Sequence, residues 1–197
     1  IYSSQVRSKF GHVDLVIACG DLPYYYQEFV ISMLDKPLFF VRGNHDPVLE
    51  YSEGGNRSYP HGGIDLHRRH VRYKGLLMVG IEGSERYKRR GSFQYTQSEM
   101  WRHVFSLVPG FFYNYLIYGR FVDILVTHAS PWEIHDKSDR AHRGIKAFRW
   151  LLRVFKPRYH YHGHIHVYRS DTVTETEYLY TRVINTYGAK ETELNVG

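Results

Sequence analysis

Five times along the chain an apolar run stops abruptly at glycine or a small polar cluster. "VDLVIAC" at 13–19 ends in Gly20-Asp21, and "PLFFV" from Pro37 ends in "RGNHD". "GLLMVGI" from Gly75 ends in "EGS", "VDILV" from Val122 ends in "THASP", and the less apolar "PRYHYH" from Pro157 ends in "GHIH". A run that is apolar at nearly every position but too short for a helix predicts a strand covered on both faces. Between these runs, "YYYQEFVISMLD", "TQSEMWRHVFSLV" and "GIKAFRWLLRVFKP" space their apolar residues three to four apart, which predicts helices. Thr96 with Glu99 three residues on forms a capping-box pattern, and Pro157 follows the end of the last helix. Strands alternating with helices imply an α/β sheet whose functional residues gather beyond the strand ends. From Ser170 onward, "DTVTETEYLYTRVINTYG" lacks a helical stripe and reads as a hairpin of antiparallel strands.

A chain of 197 residues with 43% hydrophobic content suits one domain, residues 1–197. The single cysteine, Cys19, has no internal partner, and no leader pattern opens the chain, so a cytoplasmic location is expected. No apolar run approaches the roughly twenty residues that span a bilayer, so no membrane partner is expected. "NRS" at Asn56 reads as a polar loop. The net charge of +6, with thirteen histidines uncounted, favours anionic partners such as phosphate esters, nucleotides or nucleic acid.

The strand ends collect a particular chemistry: Asp21 in "GD", Asn44, His45 and Asp46 in "GNHD", His128 in "THASP", and His164 with His166 in "GHIH". Carboxylate, amide oxygen and imidazole together suit borderline divalent ions, Mn, Fe, Zn or Ni, rather than calcium. Structural zinc sites are usually rich in cysteine, so a donor set without thiolate points to a catalytic centre.

Taken together and in order, these blocks resemble the calcineurin-like metallophosphoesterase superfamily, whose signature runs D-x-H, G-D, G-N-H-D/E, a histidine in a T-H-x-P-type loop, and G-H-x-H. Four of the five blocks occur here, and the resemblance covers Val13 to Gly188. It implies a metallo-dependent phosphatase-like fold, a four-layer α-β-β-α sandwich of two mixed sheets. It implies two divalent metal ions, with Asp21 bridging them, Asn44, His128 and His164 completing the second site, and His166 serving the first. The implied reaction is hydrolysis of a phosphomonoester or phosphodiester by metal-activated hydroxide, with His45 protonating the leaving group and Asp46 orienting His45.

The D-x-H block has no counterpart before Asp21. "IYSSQVRSKFGHVD" is similar to the family's segment just after that block, a helix leading into the second strand. The expectation is an N-terminally incomplete domain, lacking its first strand and with its first metal site incomplete. His61, His67, His70, His103, His135 and His142 are read as ordinary surface or core histidines, and His160 and His162 as packing along their strand. Lys88, Arg89 and Arg90 in "RYKRR" lie close enough to a strand end to reach a substrate phosphate. Two rivals remain. One is a nuclease or nucleotide phosphodiesterase that uses the basic surface on nucleic acid; the other is a non-catalytic scaffold with a degenerate site.

Overall fold

The computed structural model describes residue 3 and residues 5–51 and 55–194. In chain order the elements are α1 (Val6–Phe10), β1 (Val16–Ala18), α2 (Tyr24–Leu34), β2 (Leu38–Phe40), β3 (Gly63–Asp65), β4 (His70–Tyr73), β5 (Leu76–Ile81), β6 (Ser84–Glu85) and β7 (Gln94–Tyr95). They continue with α3 (Gln97–Tyr118), β8 (Ile124–Thr127), α4 (Lys146–Phe155), β9 (Tyr159–His162), β10 (Glu175–Tyr178) and β11 (Thr181–Asn185).

Strands β1-β2-β3 form a parallel sheet, and β10-β11-β9-β8-β5-β4 form a larger mixed sheet; β6 and β7 pair separately. Alternating side chains of each strand face opposite layers. In β2, Leu38 and Phe40 pack towards α1 and α2 with Val6, Val30 and Leu34, while Phe39 joins the layer between the sheets. In β8, Ile124 and Val126 meet Phe39, Val41 and Leu66 in that middle layer, while Leu125 faces the outer layer. There Leu107, Phe111, Phe148 and Leu152 of α3 and α4 cover the sheet. Three apolar layers between four layers of secondary structure explain why the strands read as unbroken apolar runs.

The ends of the elements follow local chemistry. Thr96 Oγ1 accepts from Glu99 N–H and the Glu99 carboxylate accepts from Thr96 N–H, the predicted capping box, contributing about 1 kcal/mol. The hairpin turns at Leu179-Tyr180, with Leu179 in left-handed backbone.

One helix departs from the sequence reading. The pattern stops at Val108 before Pro109-Gly110, yet α3 runs on to Tyr118. His70 of β4 packs against this continuation: its Nε2 lies 2.9 Å from the Leu107 carbonyl inside the helix. A Cβ on Gly110 would lie 2.3 Å from that same nitrogen, so glycine here makes room for the imidazole.

Within each sheet β1 and β2, and β5, β8 and β9, run parallel, so their C-terminal ends share an edge. All the signature blocks follow those ends.

Candidate metal centre

Two glycines bring the loops together. A Cβ on Gly20 would lie 2.4 Å from Gly43 N and 2.8 Å from His128 Nδ1, so the loop after β1 can approach both neighbours only without one. The loop after β9 is docked by a Gly163 N–H donated to the His128 carbonyl, 3.0 Å, and by Asn185 Nδ2 donating to the Ile165 carbonyl, 2.8 Å. β9 ends at His162, so Gly163 closes the strand and only His160 and His162 share its face. Both are fully buried.

Four donor atoms converge. His128 Nε2 lies 2.9 Å from Asn44 Oδ1, 3.1 Å from His164 Nδ1 and 3.4 Å from Asp21 Oδ2. What these atoms carry towards one another is lone pairs, because each neighbouring proton is committed elsewhere. His128 Nδ1 donates to the Cys19 carbonyl at 2.7 Å, and His164 Nε2 donates to the Ala141 carbonyl at 2.7 Å. Those bonds fix the tautomer that leaves the other nitrogen bare. Asn44 Nδ2 donates to Tyr87 Oη at 3.1 Å, which turns Oδ1 inward. Burial holds both imidazoles neutral, lowering His128 and pushing His164 down to about 3, with His128 itself as a further cause. Asp21, His128 and His164 form a group of metal-capable side chains with ligand atoms within 4.8 Å of one another. Converging lone pairs with no proton between them are costly unless a cation sits among them, so the residues present fit a divalent ion.

The other expected residues are placed less centrally. His45 is exposed at the mouth, and its backbone N–H donates to Asp21 Oδ1 at 2.8 Å. Asp46, expected to orient His45, directs its carboxylate at Gly43 N–H, 2.7 Å, and among the described residues no hydrogen bond joins it to the His45 ring. It stabilises the turn that presents His45. Burial, with Asp21 nearby, pushes the Asp46 carboxyl up to about 7. His166 lies outside the converging group, exposed, with Nδ1 2.8 Å from Tyr168 Oη. Lys88 is exposed with its ammonium 5.4 Å above the Tyr87 ring, while Arg89 and Arg90 point to solvent.

Tyr87 and the two backbone carbonyls are parts of the site that sequence reasoning missed. Tyr87 lies in the basic segment singled out for its cations, and a carbonyl carries no sequence signal. Behind the loops, Arg42 Nε meets Glu82 Oε2 at 2.7 Å, and Tyr95 Oη donates to Glu82 Oε1 at 2.6 Å. This part-buried pair ties the segment before Asn44 to the end of β5. His162 Nε2 lies 2.9 Å from His135 Nδ1, and His162 Nδ1 lies 3.0 Å from the Gly163 carbonyl. Beside His166 opens a cleft of about 560 Å³, lined among others by His135, Lys137, Tyr168 and Thr176.

Among solved structures, one chain aligns with a TM-score of 0.58 at 13% identity, covering 93% of this chain and 83% of its own. The protein TT1561 of Thermus thermophilus aligns with a TM-score of 0.57 at 11% identity, covering 93% of this chain and 80% of its own. At that identity they share the fold. No curated protein matches the chain. The family described as calcineurin-like phosphoesterase matches residues 4–168, the span that holds every converging donor. The chain belongs to the calcineurin-like phosphoesterase family.

Proposed function

We propose that the protein hydrolyses phosphoester bonds, with a phosphodiester as the preferred substrate, at the centre formed by Asp21, Asn44, His128 and His164. The observation that carries this reading is the set of four lone-pair donors whose remaining protons are all held by Cys19, Ala141 and Tyr87. A divalent ion held there supplies Lewis-acid polarisation of a phosphoryl oxygen and lowers the pKa of water. The chain's own residues do the rest. The exposed His45, on a turn braced by Asp46, stands where it can give a proton to the departing alkoxide. Lys88 lies over the ring of Tyr87, which bonds Asn44, and offers a point charge for a phosphate oxygen. The cleft beside His166 has room for the organic groups of a diester. His166 serves a further ion in this reading.

A nucleotide diester is the second reading, favoured by the rings of His166, Tyr168 and Tyr187. They lie 5.1 to 6.3 Å apart at the rim of the cleft and could stack on a base. The test is hydrolysis of a chromogenic diester with added Mn²⁺ by the wild type and by His128→Ala and His45→Ala. The expected result is metal-dependent turnover, abolished by the first substitution and lowered about 10²–10⁴-fold by the second. Absence of turnover in all three would favour the scaffold reading, and an unchanged rate in His45→Ala would remove His45 from the mechanism.

A further inference from the structure

Helix α3 has more apolar surface than the sheet beneath it uses. Met100, Val104, Leu107 and Phe111 are buried against the core. At 100° per residue, Trp101, Phe105, Phe112 and Leu116 then fall on a second stripe. Phe105, Phe112 and Leu116 are exposed, Leu116 at 81% of its surface. Tyr113 and Ile117, on the far flank, are exposed as well. The stripe continues onto α4: Trp150 lies 5.4 Å from Trp101 and 5.5 Å from Phe105, and Phe112 lies 6.5 Å from Phe155, ring to ring. Single exposed apolar residues are ordinary, whereas a contiguous aromatic band across two helices marks a docking face.

Beyond Glu99 in the first turn of α3, the two helices carry no carboxylate of their own. No carboxylate occurs between Glu99 and Asp123, nor between Asp139 and Asp171, the stretches that contain nearly all of α3 and the whole of α4. Those stretches carry Arg102, Lys146, Arg149, Arg153 and Lys156; among the described residues, only Arg149 of these five forms an ion pair, with Glu133. A second copy docking here would set cations against cations. The last two turns of α3 also expose apolar side chains on both flanks, which suits a fluid surface that closes around a helix. Phenylalanine, tyrosine and tryptophan rimmed by lysine and arginine is the composition that sits at the boundary of a bilayer.

We infer that the acid-free aromatic face of α3 and α4 docks the protein peripherally on an anionic lipid surface. No described helix is long and apolar enough to cross a membrane, and interfacial docking needs none. The expectation of no membrane partner rested on the lack of a spanning run and does not bear on this face. The topology also suits the role. Tyr118 ends α3 at the edge where β8 begins, whereas His128 follows the edge where β8 ends, so a docked protein keeps its metal centre turned away from the lipid.

The test is co-sedimentation with vesicles of phosphatidylglycerol and phosphatidylcholine, and with phosphatidylcholine alone. The wild type is compared with Phe112→Glu/Leu116→Glu and with the charge reversal Arg153→Glu/Lys156→Glu. Circular dichroism checks the fold of each, and analytical ultracentrifugation reports self-association. The wild type is expected to pellet with the anionic vesicles only, both variants to lose at least about tenfold in partitioning, and diester turnover to stay unchanged. Wild-type protein left in the supernatant with anionic vesicles, or variants that pellet equally well, would overturn the inference. So would a concentration-dependent dimer that the variants abolish without any vesicle binding by the wild type.

Discussion

Replacing Gly43 by alanine disturbs the metal centre without removing any of its donors. The backbone at Gly43 is not left-handed, so alanine meets no conformational objection there and the effect is purely one of space. The new Cβ would lie 2.0 Å from Asp21 Oδ1 and 2.7 Å from Asp21 Cγ, where real side-chain carbons do not come within 3.0 Å. Asp21 N lies 2.5 Å from the new Cβ as well, so turning the carboxylate aside is not enough: the loop after β1 must shift with Asp21, or the loop after β2 must swing out and carry Asn44 with it. Ligand bonds of about 2.0–2.2 Å tolerate errors of only about 0.2 Å, so either movement removes a donor from the set. The expected loss is about 10–100-fold in affinity for Mn²⁺, or about 1.4–2.7 kcal/mol. Overpacking should also lower the stability of the metal-free protein by about 1–3 kcal/mol. Calorimetric titration of chelator-stripped protein measures the first quantity, and thermal unfolding in chelator the second. A Mn²⁺ Kd within about twofold of wild type, with an unchanged Tm, would refute the reasoning.

Tyr87→Phe removes only the hydroxyl that turns Asn44 inward; Mn²⁺ affinity should fall about tenfold with little change in Tm, and equal affinity would show that Asn44 does not need the bond. His67 accepts the Glu82 N–H at 3.1 Å, and burial pushes it down to about 3. The unfolded chain takes up this proton near pH 6.5, so the stabilisation is complete above that pH. It is lost as pH falls towards 3, at about 1.4 kcal/mol per unit. His67→Gln, which keeps an acceptor, should flatten the fall of the urea midpoint below pH 6.5, and parallel wild-type and variant curves would sink this account.

Much of the layered fold was legible because strands covered on both faces must be apolar at successive positions, and β2, β5 and β8 are. The blocks at Asp21, Asn44, His128 and His164 were legible because costly polar types recur at the ends of those strands. What could not be read came from distant contacts. Pro109-Gly110 is ordinary turn chemistry, yet α3 passes through it, with Gly110 packed against the imidazole of His70 from another strand. β3 and β4 are short and only partly buried, so their pattern is weak. That the Asp46 carboxylate accepts from Gly43 N–H was not legible, because sequence adjacency to His45 says nothing of which way a turn sends its side chains.

Asp21 and His164 both stand on left-handed backbone, at φ 57° and 65°. Left-handed backbone costs a side-chain-bearing residue about 1–2 kcal/mol, and asparagine or glycine occupies it at less cost. Heat resistance and metal retention therefore pull in opposite directions at these two positions. A library ranked by melting temperature alone would accept glycine at Asp21 or His164 wherever relief of the left-handed backbone outweighs the lost bonds to His45 N–H and the Ala141 carbonyl, and would discard a donor without registering the loss. Thermostable variants of this protein should accordingly be screened for bound metal at each round.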